Sequence, residues 1–71
     1  MKSIPTRIED LQAFDIILHL RSVWVIQRIS KGEGIQYRQI HATRVDDGKQ
    51  TTMTFHSHSF GYLMERLVRE G

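Results

Sequence analysis

The sequence predicts a small α+β domain, in the order α-β-β-β-α, with two helices covering one face of a three-stranded antiparallel sheet. Apolar residues recur at helical spacing near both ends of the chain, as they do along amphipathic helices. Between these ends lie β-branched and aromatic runs separated by turns that contain glycine, the pattern of paired strands. At 71 residues, the chain is expected to form a single domain, 1–71, with a small core.

The first helix is predicted from about residue 7 to about residue 20. Thr6 and Glu9 have the spacing of a capping box at its start, in which each side chain reaches the other residue's backbone amide. Apolar residues then follow at helical spacing: Ile8, Leu11, Phe14 and Leu18. The second half of this segment also alternates between apolar and other residues, so a strand over residues 14–21 is the alternative.

Three strands are predicted over about residues 22–30, 35–45 and 50–56, and a second helix over about residues 59–70. The segment Lys31-Gly32-Glu33-Gly34 predicts the first turn, because two glycines lie within four residues. Asp47-Gly48 predicts a hairpin turn, since both residues tolerate positive φ. Ser57 or Ser59 is the expected cap of the second helix, whose apolar face would carry Phe60, Leu63, Met64, Leu67 and Val68.

Uninterrupted alternation along these strands divides the side chains between two faces, because successive residues of a strand point in opposite directions. The predicted core face, beneath the helices, carries Val23, Val25, Ile29, Ile40, Ala42, Met53 and Phe55. The predicted solvent face carries Trp24, Ile26, Arg28, Tyr37, Gln39, His41, Thr43, Val45, Thr52, Thr54 and His56.

The predicted solvent face is rich in aromatic, arginine and hydrogen-bonding side chains, which are typical of binding surfaces. We therefore interpret it as a recognition patch made by Trp24, Arg28, Tyr37, Gln39, His41, Thr54 and His56. Two structural alternatives stay open. A dimer partner or a chain terminus could cover the patch, or its residues could serve only cross-strand pairing.

Nucleic acid is the favoured partner, because aromatic sheet faces can stack exposed bases. Four cations would contact the backbone from the hairpins: Lys31, Arg38, Arg44 and Lys49. The α-β-β-β-α order resembles the double-stranded-RNA-binding domain, although Ser57-His58-Ser59-Phe60 stands where that family has a lysine cluster. The net charge of only +2 keeps two alternatives open: a module that docks on a larger protein, and a sheet-mediated homodimer.

Enzymatic activity is not expected, and no catalytic residues, cofactor or metal site are predicted. The chain contains no cysteine, which excludes thiol nucleophiles and thiolate metal sites. His56 and His58 do not define a metal site, since nothing in their spacing demands further ligands. The apolar runs are too short for a membrane span, and the first residues do not have the pattern of a secretory leader. A cytoplasmic protein without membrane contact is therefore expected.

Overall fold

A computed structural model describes residues 1–31 and 36–69, and these residues form an almost all-β fold. Six strands make one antiparallel sheet in the spatial order β1-β6-β2-β3-β4-β5. The strands are β1 (Lys2–Arg7), β2 (Ile16–His19), β3 (Ser22–Lys31), β4 (Tyr37–Arg44), β5 (Gln50–His56) and β6 (Leu63–Val68). Two short 3₁₀ turns, Ile8–Asp10 and Ser57–Ser59, follow β1 and β5.

The predicted α+β class is wrong, beginning with the first helix over residues 7–20. Only the 3₁₀ turn Ile8–Asp10 forms there, and the chain then enters β2, so the strand alternative is correct for residues 16–19. No capping box forms, because the Thr6 hydroxyl donates to the carbonyl of Ile4 at 3.1 Å. β2 pairs with β3 on one side and with β6 on the other. Pairing on both edges, in a tight hairpin with β3 and at long range with β6, therefore overrides the helical spacing.

The second predicted helix, over residues 59–70, is also wrong. Ser57–Ser59 forms a 3₁₀ turn without a side-chain cap, and β6 follows it. β6 lies between β1 and β2, so both of its edges are satisfied by backbone hydrogen bonds. The resemblance to the double-stranded-RNA-binding domain is lost with the two helices. Of this predicted helix, residue 70 lies outside the described residues.

The hairpin at Asp47-Gly48 is confirmed. Gly48 has a φ of +74°, and its amide donates to the carbonyl of Arg44 at 2.9 Å. This turn joins β4 to β5, which pair in continuous register from Tyr37 opposite His56 to Thr43 opposite Gln50. β3, β4 and β5 correspond to the three predicted strands. Most of the predicted first turn, residues 32–34, and the predicted start of the second strand at residue 35 lie outside the described residues.

A β-bulge at Gln27 changes the face to which the side chains of β3 point. Ile26 lies opposite Ala42 and Arg28 lies opposite His41, so Gln27 has no partner on β4. An extra residue in one strand reverses the alternation beyond it. Trp24 and Ile26, before the bulge, therefore share a face with Ile29, after it.

The predicted division of faces is consequently wrong for the first half of β3 only. Trp24 is 5% exposed and Ile26 is fully buried, whereas Val23 and Val25 take the opposite face. The indole N–H of Trp24 donates to the carbonyl of His19 at 3.0 Å, so burial leaves no polar atom of this side chain unpaired. Trp24 is a core residue.

The core lies on one face of a curved sheet. Its buried members are Ile8, Leu11, Ile17, Trp24, Ile26, Ile40, Ala42 and Met64, with Ile29, Met53, Phe55 and Phe60 packed against them. The Arg38 guanidinium on β4 donates to the carbonyls of Ile8 and Glu9, although β4 is four strands away from β1 in the sheet. The segment after β1 therefore crosses the concave side, where the helices were expected.

Within the described residues, no helix has the length and apolarity required to cross a bilayer.

Deleting Gln27 tests the bulge. Without the extra residue, the alternation of β3 becomes uninterrupted, so Trp24 and Ile26 can no longer share the core face with Ile29. Loss of even one large core side chain costs about 3–5 kcal/mol, against a total stability of about 5–15 kcal/mol for small proteins. We expect the deletion variant to be unfolded in a thermal melt followed by circular dichroism. The control Gln27→Ala, at this exposed position, should change stability by less than about 1 kcal/mol. A deletion variant that melts like the parent would contradict the bulge.

Candidate functional site: the outer face of the sheet

The outer face of the sheet, opposite the core, divides into two parts of different chemistry. The first, which we call the polar half, lies on β3 after the bulge and on β4 and β5. Register places these residues together there: Arg28, Ser30, Tyr37, Gln39, His41, Thr43, Thr52, Thr54 and His56. The second, which we call the apolar half, lies on β6, β2, the first half of β3 and the end of β4.

His41 is the centre of the polar half and connects three strands. Its Nε2 atom lies 3.0 Å from the Ser30 hydroxyl on β3, and its Nδ1 atom lies 3.0 Å from the Thr52 hydroxyl on β5. A neutral imidazole has one donor and one acceptor, and a hydroxyl can take either role. Both hydrogen bonds are therefore satisfied whichever nitrogen carries the proton. With both nitrogens occupied, this arrangement favours a cross-strand link over metal ligation or proton transfer.

Aromatic rings extend the polar half towards the end of β5. The Tyr37 and His56 rings meet edge to face with centroids 4.6 Å apart, and His58 stacks on His56 at 5.5 Å. His56 and His58 are exposed. Among the described residues, no group of three or more metal-ligating side chains comes together.

A shallow depression of about 540 Å³ lies beside the bulge, lined in part by Gln27, Arg28, His41 and Thr52. Gln27 and Arg28 are both exposed, because the bulge interrupts the ladder at this point. The depression therefore offers one guanidinium among neutral hydrogen-bonding groups, a composition suited to polar contact with a ligand.

Six of the seven predicted recognition residues lie on the outer face, all of them in the polar half: Arg28, Tyr37, Gln39, His41, Thr54 and His56. The seventh, Trp24, does not, because the bulge turns it into the core. Its predicted proximity to His41 and Thr54 on a common face is therefore wrong. The role of the other six residues in binding stays a prediction.

The four predicted cations are not gathered on the outer face. Arg38 lies on the concave side, with its Cζ atom 5.5 Å from the centre of the Phe60 ring. Arg44 also lies on that side, with its Cζ atom 5.5 Å from the centre of the Trp24 ring. Lys31 is exposed at the end of β3, and Lys49 is exposed beside the turn before β5. Lys31 lies opposite Arg38 in the register, and Lys49 lines the same depression as Arg44, so these cations do not belong to the polar half.

The apolar half was missed by the face assignment made from the sequence. It consists of Ile16, Leu18, Val23, Val25, Val45, Leu63 and Leu67. Leu67, Ile16 and Val25 face one another across three strands. Leu18 faces Val23, and the Val45 amide donates to the carbonyl of Val23 at 2.9 Å. The alternation Ile16-x-Leu18 was the available signal, but it required the strand interpretation of this segment.

An ion pair stabilises the turn between β4 and β5. The Arg44 guanidinium donates to both carboxylate oxygens of Asp47, at 3.0 and 2.6 Å. The Lys49 amide donates to the same carboxylate at 3.0 Å. The hydrogen bonds from Arg44, followed by that from Lys49, lower the pKa of Asp47 below its ordinary value. The same partner raises the pKa of Arg44.

Replacing Asp47 by Asn tests this ion pair through its pH dependence. Because the folded-state pKa of Asp47 is lowered, its stabilising contribution is present above the ordinary carboxyl pKa and is lost as the pH falls towards the lowered value. We expect the parent to lose more stability on acidification than Asp47→Asn in thermal melts taken between neutral and acidic pH. Equal acid sensitivity in the two proteins would contradict the pKa shift. Asp46→Asn, at the neighbouring exposed position, is the matched control.

No protein-family model matches this chain, and no curated protein is significantly similar to it in sequence.

Proposed function

We propose that this chain is a non-enzymatic protein-binding module, which docks on a protein partner through the outer face of its sheet. The observation that carries the proposal is the apolar half. Its two most open members, Val45 and Leu63, are 57% and 65% exposed. Val45 adjoins a group of aliphatic side chains on three neighbouring strands, and Leu63 lies beyond Glu65 on the same face.

The solvent face of an antiparallel sheet normally alternates to polar residues. An apolar group spread across β6, β2 and β3 departs from that pattern, and contiguous exposed apolar surfaces mark interaction sites. Protein interfaces combine an apolar centre with a polar rim that supplies hydrogen bonds. The polar half, with Arg28, Gln39 and Thr54 beside the apolar half, has the chemistry of such a rim.

The sequence alone favoured nucleic acid as the partner. The distribution of charge in the structure instead supports a protein partner. A protein that neutralises several phosphates needs cations on one surface, whereas Arg38 and Arg44 lie on the concave side in contact with Phe60 and Trp24. Trp24 is buried and has no open ring face for stacking on bases. Glu65, which is exposed opposite Leu18, would repel a phosphate backbone.

Paired variants of the outer face test this function. Val45→Lys and Leu63→Lys each place a charge in the apolar half at an exposed position, so the fold should survive. Gln39→Lys adds the same charge to the polar half and is the matched control. The parent and the variants are immobilised and incubated with the same cell extract. The protein that the parent captures is identified by mass spectrometry. It is then purified, and its affinity for the parent and for each variant is measured by calorimetry.

We expect Val45→Lys or Leu63→Lys to weaken this affinity about thirtyfold, as truncation of an interface anchor does, and Gln39→Lys to change it little. The same proteins are titrated with labelled duplex DNA and single-stranded RNA at two salt concentrations. Tight, steeply salt-dependent binding would overturn the proposal and assign the outer face to nucleic acid. In that case Gln39→Lys should increase the affinity, and Arg28→Ala should reduce the salt slope by about one.

A further inference from the structure

The two edges of the sheet differ in how well they are protected against further pairing. β1, at one edge, carries Lys2, Pro5 and Arg7, and both charges and proline discourage a strand from adding to an edge. β5, at the other edge, is the seven-residue sequence QTTMTFH, without proline and without Asp, Glu, Lys or Arg. It therefore has none of the side chains that usually block pairing.

The backbone groups that β5 points outward can be derived from its register with β4. The Arg44 amide donates to the carbonyl of Lys49, and the Ser57 amide donates to the carbonyl of Gln36, both at 2.8 Å. Hydrogen-bonded pairs alternate along an antiparallel ladder, so Met53, opposite Ile40, bonds to β4. The outward N–H and C=O groups belong to the alternate residues Gln50, Thr52, Thr54 and His56. Within residues 1–31 and 36–69, no strand other than β4 pairs with β5.

We propose that β5 pairs antiparallel with β5 of a second copy of this chain, about a two-fold axis at Met53, so that two sheets join edge to edge. This register pairs all seven residues of the strand. It sets Met53 opposite Met53, Thr52 opposite Thr54, Thr51 opposite Phe55 and Gln50 opposite His56. The outward groups of Thr52 and Thr54 then form hydrogen-bonded pairs, as an antiparallel ladder requires.

The side chains of β5 are complementary to themselves in this register. On the concave side, Met53 and Phe55 are half-buried at the edge of the core, and the second copy would cover them with the same residues. On the outer side, Thr52 faces Thr54, a favourable cross-strand pair. Lys49 lies opposite Ser57 of the second copy, so the pairing opposes no like charges. A peptide from another protein would lack this two-fold match, which is why we assign the edge to a second copy.

The proposal does not rest on the outer face as a protein-binding surface. Pairing at β5 leaves the apolar half open, because that half lies on β6, β2 and β3 and at Val45, which bonds to β3 and is outside the paired residues 50–56. Val45→Lys and Leu63→Lys should therefore leave the dimer intact.

A single introduced cysteine reports the register, since the chain has none of its own. Facing residues of a non-hydrogen-bonded antiparallel pair have Cα atoms about 4.5 Å apart, within the range that a disulfide spans. Met53→Cys should therefore form a disulfide-linked dimer under mild oxidation. Thr51→Cys, on the same face, is the matched control. Its two copies would be four residues out of register, about 13 Å apart, and should stay unlinked.

Sedimentation of the chain without cysteine tests the dimer by a second route. We expect a monomer–dimer equilibrium in which Thr54→Pro raises the dissociation constant at least about tenfold. Proline removes the outward amide of residue 54 in both copies, so the dimer loses two intermolecular hydrogen bonds. No backbone hydrogen bond within the chain is lost, because this amide does not bond to β4. Thr54→Val keeps the amide and loses only the side-chain hydroxyl, so it should dimerise much more tightly than Thr54→Pro. A parent that stays monomeric at every concentration, or equal cross-linking at positions 51 and 53, overturns the proposal. If the chain is a monomer and its β5 amides are protected from hydrogen exchange only when an extended peptide is added, the edge belongs to a partner's strand and the proposal is wrong.

Discussion

The β-bulge at Gln27 is the constraint on which the rest of the structure depends. It lets one strand supply Trp24 and Ile26 before the bulge, and Ile29 after it, to the same core. The same reversal sends Val23 and Val25 to the outer face, where they join Ile16, Leu18 and Leu67. The side chains that the first half of β3 supplies to each face are therefore set by one unpaired residue. The sheet therefore has an apolar core on one side and a group of aliphatic side chains on the other.

The concave side is closed by chain segments rather than by helices. Arg38 reaches from β4 to the carbonyls of Ile8 and Glu9, and the amide of Glu9 donates to the carbonyl of Phe60. These contacts hold the segments after β1 and β5 across the core, so that Ile8, Leu11 and Phe60 cover residues of the central strands. Arginines that the sequence suggested as ligand contacts thus support the fold. Arg44 acts similarly, since it joins the Asp47 turn to the Trp24 ring.

Features set by local chemistry could be predicted from the sequence, and features set by long-range pairing could not. The turn at Gly48 follows from its tolerance of positive φ, and the alternation of β4 and β5 correctly groups Gln39, His41 and Thr54. The helices failed because short apolar segments such as Leu63–Val68 fit both periods, and pairing with two neighbouring strands decides between them. The bulge has no signature at Gln27, so neither the burial of Trp24 nor the outward position of Val23 and Val25 could be derived from spacing.

The fluorescence of Trp24 tests most directly the claim that the bulge turns the first half of β3 into the core. The chain has a single tryptophan, so the whole tryptophan signal reports on this position. A side chain that is 5% exposed should emit at the short wavelengths typical of an apolar environment, and acrylamide should quench it far less than in the urea-unfolded chain. Emission at the wavelength of the unfolded chain under native conditions, with equal quenching, would place Trp24 on the outer face and contradict the account.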